Sequence, residues 1–239
     1  MTKEATKYLL YITVQISLFA QILTGLIDGY ALTLNYEGDM LLIKGLLAIE
    51  FFVQVIEFIF YLWLFTYFTS AIDITPKRYY DWVITTPSML FILIVYLDYL
   101  RNDKTVPEIQ EESTLAYIKH SIIKHGYNLN IILFLNLLML LFGFLGELKI
   151  IPNKQAVLYG FIPFLMYFYY IYDKYAKYTT NGSILFFIFS GIWGLYGISA
   201  LMPYLWKNIN YNILDIFSKN FFGVFLAYLG IKNHFSKKT

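Results

Sequence analysis

The 239-residue chain contains no cysteine. That absence excludes a disulfide framework, a Cys-ligated zinc site and a thiol nucleophile. Histidine is nearly as scarce. His120, His125 and His234 are the only three, all near the ends of apolar runs, and no metal centre is expected. Charge is thin as well: 14% of residues are charged and the formal net charge is +2, against about 25% charged residues in soluble domains. This balance gives no reason to expect nucleic acid as a partner.

What is present is apolar. Hydrophobic residues reach 59% and the mean hydropathy is +0.57, where soluble domains hold about 45–50% apolar residues. A helix needs about 20 apolar residues to cross a hydrocarbon core about 30 Å thick. Seven such runs occur, at roughly 7–30, 41–65, 78–100, 126–147, 155–173, 183–204 and 209–231, and with short links they use nearly the whole chain. The sequence therefore predicts an all-α fold, a seven-transmembrane-helix bundle forming one domain over 1–239. It reads as an integral, multi-pass membrane protein whose first partner is the lipid bilayer. A large soluble domain and a disordered chain are both excluded. The 23 Tyr and 22 Phe suit interfacial and lipid-facing surfaces, and also a pocket for a flat conjugated ligand.

The links are short and polar, such as Asn35 to Asp39 and Lys149 to Lys154. The longest break, Arg101 to Thr114, carries Pro107-Glu108-Ile109-Gln110-Glu111-Glu112. After it, Leu115 to Tyr127 mixes Lys119, His120, Lys124 and His125 with apolar residues, which predicts a helix start in the membrane interface. Lys3 and Lys7 precede the first run, but that run is too long for a signal peptide and no small-x-small cleavage site closes it. With the N-terminus outside, ten cations fall on the inner side: Lys44, Arg101, Lys104, Lys119, Lys124, Lys174, Lys177, Lys232, Lys237 and Lys238. Six fall outside: Lys3, Lys7, Lys77, Lys149, Lys154 and Lys207. The positive-inside rule then predicts an outer N-terminus and a cytoplasmic C-terminus.

Arg78 and Lys219 remain embedded, and an ionisable residue inside a span costs at least about 2.5–3.5 kcal/mol, which marks it as a functional candidate. Lys219 sits mid-span with Asp215 four residues earlier on the same helix face. That pair reads either as a buried ion pair fixing helix register or as a desolvated amine able to condense with an aldehyde. The third span reads Arg78-Tyr79-Tyr80-Asp81-Trp82-Val83-Ile84-Thr85-Thr86-Pro87-Ser88-Met89, with Arg78 and Asp81 one turn apart and Pro87 freeing a backbone carbonyl near Ile84.

Arg-Tyr-x-Asp-Trp followed by Thr-Thr-Pro resembles the third helix of the microbial rhodopsins, and Asp-x-x-x-Lys in the last run resembles their retinal-binding helix. The resemblance implies that Lys219 carries all-trans retinal as a protonated Schiff base. Asp81 and Asp215 are then its counterions, Asp81 also the proton acceptor, with Arg78 and Thr85 associated with them. Trp193 and Tyr196 match the family's Trp-x-x-Tyr in helix six, and Trp82, Thr86 and Met89 would line the pocket from helix three. Without the family, Trp193 and Tyr196 read as lipid-facing aromatics. Gly197 stands where bacteriorhodopsin has proline and Ala200 where it has a second tryptophan. Ile92 occupies the place of the family's internal proton donor, and no Asp or Glu lies between Trp193 and Leu214.

Polar residues also form stripes at helical spacing: Ser17, Gln21, Thr24 and Asp28; Glu50, Gln54 and Glu57; Asp81, Thr85 and Ser88; Asn208, Asn212, Asp215 and Lys219. They read either as a structural hydrogen-bond network or as a wet seam that conducts cations. Neither Glu50 nor Glu57 is assigned to the counterion cluster. The pattern Ser17-x-x-x-Gln21 with Glu50 and Glu57 seven apart resembles one group of giant-virus rhodopsins regarded as light-gated cation channels, though proton pumping has also been considered for viral rhodopsins. Ser17, Gln21, Glu50, Glu57 and Asn212 are the expected ion pathway. The resemblance thus implies a light-activated ion transporter, not an enzyme, moving protons or small cations, with a homo-oligomer allowed. It leans to a cation channel, with an outward proton pump using Asp81 as the alternative. A photosensor is the third reading and would need a separate transducer, since no output domain follows Thr239.

Overall fold

The computed structural model describes residues 2–68, 73–102 and 113–236. The acidic run from Pro107 to Glu112, and Lys104, Lys237 and Lys238, lie outside the described residues. Seven long helices follow one another: α1 Lys3–Thr33, α2 Met40–Thr66, α3 Ile74–Arg101, α4 Thr114–Glu147, α5 Asn153–Lys174, α6 Thr180–Ala200 and α7 Tyr204–Ser236. Six of them, all but α5, are apolar and long enough to cross a membrane by length and composition. The 22 residues of α5 rise about 33 Å, enough to span. Its apolar content is diluted by Asn153, Lys154, Gln155 and a run of tyrosines from Tyr159 to Tyr172.

The mixed segment Leu115–Tyr127 is continuous with the fourth span, because Ser113 caps α4 by accepting a hydrogen bond from the Ala116 amide at 3.2 Å. The boundary between the last two spans departs from the sequence pattern. The sixth was expected to reach 204, but α6 ends at Ala200 and α7 begins at Tyr204 behind Pro203. Proline supplies no amide and disfavours helical geometry in the residue before it, so the apolar run breaks there. Lys207 consequently lies inside α7 rather than in an outer link. It is 7% exposed and donates to Glu147 Oε1 of α4 at 2.6 Å.

α3 runs through the middle of the bundle. From Met89 to Leu97 every residue is buried. At its proline, Ser88 Oγ donates to the Ile84 carbonyl at 3.1 Å. The other helices bury one side and present apolar side chains such as Ile16, Phe19, Leu26, Leu137 and Leu165 outward, the surface that hydrocarbon would cover. Polar side chains are instead turned inward, between α1, α2, α3 and α7.

Candidate functional site

Lys219 sits in a π-helical turn, Ile216–Asn220, set between the two α-helical parts of α7. Single π turns recur at functional sites, and here the wider turn has a visible effect. Three consecutive residues, Ser218, Lys219 and Asn220, are all buried, where successive residues of an α-helix point about 100° apart. Lys219 turns towards α3 and Asn220 towards α1 and α2.

Lys219 Nζ donates to Asp81 Oδ2 at 3.1 Å and stands 3.8 Å from Asp215 Oδ1. It also pairs directly with Glu57 Oε1 of α2. The expectation that Glu57 stays apart from the counterion cluster therefore does not hold. α2 packs against α7 with Glu57 level with the lysine, a helix–helix register that spacing within either helix does not reveal. Arg78 and Lys219 thus face three carboxyls rather than two. Neutrality in the low-dielectric interior then leaves one of the three with a proton.

Towards the N-terminal end of α7 the polar groups close into a knot. Arg78 Nη1 donates to Asp215 Oδ2 at 3.0 Å and Nε to Asn208 Oδ1 at 3.3 Å, while Nη2 donates to Asn212 Oδ1. Tyr61 donates to Asp215 Oδ2 at 2.6 Å and Tyr196 to Asp215 Oδ1 at 2.7 Å. Asn212 Nδ2 reaches Thr13 Oγ1 at 2.9 Å, and Ser17 Oγ reaches the Asn212 carbonyl at 3.1 Å. Thr85, fully buried beside the cluster, donates to the Asp81 carbonyl at 3.1 Å.

Towards the C-terminal end of α7, Asn220 Nδ2 donates to Thr24 Oγ1 at 2.9 Å, Gln21 Oε1 at 3.2 Å and Gln54 Oε1 at 3.4 Å. Beyond it lie Asp28 and Glu50, both 0% exposed, whose carboxyl oxygens meet no donor in hydrogen-bonding geometry. The stripes of α1, α2 and α7 therefore meet in one buried polar seam with Lys219 at its middle. Ser88 takes no part, being turned to its own helix backbone.

On the other side of Lys219 opens a pocket with about 780 Å³ of space outside protein atoms, its open mouth included. Trp82, Thr86, Met89, Trp193 and Tyr196 all line it, with Lys219 and Ser218 at one end. Trp193 is 8% exposed and stacks on Phe189 at 4.9 Å, so the bare expectation of a lipid-facing aromatic is wrong for it. Trp82 meets Tyr196 edge-on at 5.6 Å and Tyr211 at 5.2 Å. Asn136 Nδ2 holds Thr86 Oγ1 at 2.8 Å. Sequence patterns do not single out Tyr211, Met139, Gly143 and Phe164, which complete the walls, and Tyr61 was missed with them. For Tyr61 a signal existed: it extends the Glu50, Gln54, Glu57 stripe by one more turn. Gly197 and Ala200 border the cavity, and beside Gly197 the Phe161 ring stands where a side chain would begin. An apolar, aromatic slot ending on a desolvated amine fits a long, flat, conjugated aldehyde.

The model of the bacteriorhodopsin-like protein family matches residues 12–233. The chain belongs to that family. As a microbial rhodopsin it is a multi-pass membrane protein of a family that binds retinal and whose general activity is light-driven ion transport rather than enzymatic catalysis. Among solved structures it is similar to the viral rhodopsin OLPVRII, with 25% identity over 94% of this chain and 98% of that one and a TM-score of 0.79. A blue light-absorbing proteorhodopsin from Med12 shares 20% identity over 94% and 98% of the two chains, with a TM-score of 0.70. Xanthorhodopsin, described as a light-driven ion pump with dual chromophore, shares 14% identity over 100% and 98%, with a TM-score of 0.71. The last two likenesses concern the fold alone. No curated protein sequence matches the chain.

Proposed function

We propose that this microbial rhodopsin is a light-gated cation channel, with its N-terminus outside and its C-terminus cytoplasmic. The observation that carries the reading is the seam itself. Ser17, Gln21, Glu50, Glu57 and Asn212 are each at most 1% exposed, yet they come from three helices and meet on one line past Lys219. Polar residues at such depth are costly unless they face one another or a pathway.

All-trans retinal, when bound, supplies light absorption and a change of shape at the lysine. Lys219 would hold it covalently through Nζ. Trp82 and Trp193, with Thr86 and Met89, would clamp its length, and Tyr196 would fix Asp215 beside the nitrogen. Asp81 and Asp215 would stabilise a positive charge on that nitrogen, with Glu57 beside them, and Asp81, at 3.1 Å, is the acceptor in line to take its proton. Movement at Lys219 pulls on Asn220 next to it. That breaks the amide cluster with Gln21, Thr24 and Gln54, and the seam then connects its two halves.

The contact between Lys219 and Asp81 also supports a second reading, an outward proton pump. Replacing bath sodium with a bulky organic cation separates the two. The channel predicts that inward photocurrent falls with sodium at constant pH, while a pump current ignores the substitution.

A further inference from the structure

At the end of the bundle where α3 and α7 begin, the pocket beside Lys219 is lined by Tyr79, Gly143, Ala200 and Tyr211. Beyond these residues the helices close in a rim of specific contacts. Between α4 and α5, a Cβ on Gly146 would stand only 2.5 Å from the Ala156 methyl. Between α5 and α6, Asn153 Nδ2 donates to the Ala200 carbonyl at 2.7 Å. Between α7 and α3, the Tyr204 hydroxyl accepts from the Ile74 amide at 2.9 Å, and Asn208 Nδ2 donates to Thr75 Oγ1 at 3.0 Å.

That leaves α4 facing α7, and there the contact is an ion pair. Lys207 Nζ donates to Glu147 Oε1 at 2.6 Å, and each side chain is 9% exposed. Helical spacing sets the placement. Glu147 follows Gly143 by four residues and Lys207 precedes Tyr211 by four, so each stands one turn beyond a residue of the pocket wall. An ion pair this deep adds little net stability over apolar side chains of the same size. What it does supply is a long, directed reach between two helices.

We propose that Glu147 and Lys207 form the outer clasp of the retinal pocket and keep water from the bond at Lys219 in the dark. The proposal rests on the retinal-binding reading and is indifferent to what the seam conducts. The bond in question joins the Lys219 nitrogen to the aldehyde carbon. Water hydrolyses it: the oxygen goes to the carbon, restoring the aldehyde, and the hydrogens go to the nitrogen, restoring the amine. The lifetime of the bond then depends on how rarely the rim opens. Lys207 and Glu147 touch neither retinal nor Lys219 and act as positioning residues.

The test is dark bleaching of the pigment by hydroxylamine, a water-soluble nucleophile that takes the aldehyde carbon as an oxime and frees the Lys219 amine. Glu147→Ala combined with Lys207→Ala removes the clasp without leaving an unpaired charge, and should bleach about tenfold faster through more frequent local opening. The charge-swapped pair, Glu147→Lys with Lys207→Glu, should return to within about twofold of the unmodified rate, because the two sites act as one unit. Lys124→Ala breaks a 2.6 Å pair with Asp98 at the opposite end of the bundle and should leave bleaching unchanged. In the retinal-free protein, hydrogen exchange at the amides of 143–147 and 207–211 should quicken in the double alanine variant. Bleaching at the unmodified rate in that variant, or unchanged exchange at those amides, would overturn the proposal. Equal acceleration by Lys124→Ala would show general loosening and overturn it too, as would a charge-swapped pair that bleaches like the double alanine. Failure of the retinal reading has a different signature, no visible pigment at all.

Discussion

Around Arg78 each buried polar side chain has a partner, whereas around Asp28 the partners run out. The first half of the seam holds Arg78, Asp215, Asn208, Asn212 and Tyr61 in a closed set of bonds. The second half holds Asp28, Glu50 and the Gln54 amide nitrogen with no partner in bonding geometry. Both halves use the same residue types at the same helical spacing. Satisfaction, not composition, separates them. A saturated network is rigid and fixes the geometry of Asp215 beside Lys219. An unsaturated one retains capacity for a proton or an ion that is not always there.

Breaking the junction between the halves should have the largest effect. Lys219→Ala should abolish covalent pigment, and a normal visible band that survives reductive trapping in that variant would refute the assignment of the lysine. Next come the two carboxyls in contact with Lys219. A carboxylate there stabilises positive charge at the nitrogen in the ground state, and excitation moves that charge away, so Asp81→Asn should shift absorption to the red, and Glu57→Gln should shift it less, because one of the three carboxyls already carries a proton. Glu50→Gln should leave the band nearly in place. Absorption spectra of the three variants, recorded side by side, locate the boundary of the counterion cluster.

The saturated half should then fail by stability. Arg78→Gln leaves Asp215 buried without its cation, a loss of about 3–5 kcal/mol for a broken buried pair, visible as earlier thermal bleaching. Tyr61→Phe removes one hydrogen bond to the same charged group and should cost about 1.5–3 kcal/mol. Ser88→Ala, outside the seam, should stay within about 0.5 kcal/mol. A Tyr61→Phe variant as stable as Ser88→Ala would remove the contrast between the halves.

Much of this arrangement is legible in the amino-acid sequence. The polar stripes are a local property, because residues three and four apart share a helix face. Span number follows from length and hydropathy, and the lysine and its two aspartates follow from motifs. Register between helices is not legible in the same way. Glu57 and Glu50 look alike along α2, yet one pairs with Lys219 and the other stands apart, as the packing of α2 on α7 decides. The π turn at Ile216–Asn220, which lets Lys219 and Asn220 both face inward, leaves no clear mark in residue type. The end of α6 is legible in principle, since Pro203 marks it, but the apolar run across it masks the break.

The most direct test of the conducting seam is a voltage-clamped recording of the light-induced current at several potentials, with external sodium and pH changed separately. One elementary charge crossing 100 mV exchanges only about 2.3 kcal/mol, far less than a visible photon carries, so voltage alone cannot reverse a pump. A channel built on Ser17, Gln21, Glu50, Glu57 and Asn212 predicts a current that reverses sign with voltage, at a potential that follows the sodium gradient. An outward current of constant sign, indifferent to sodium, would contradict it and assign the seam to proton transport.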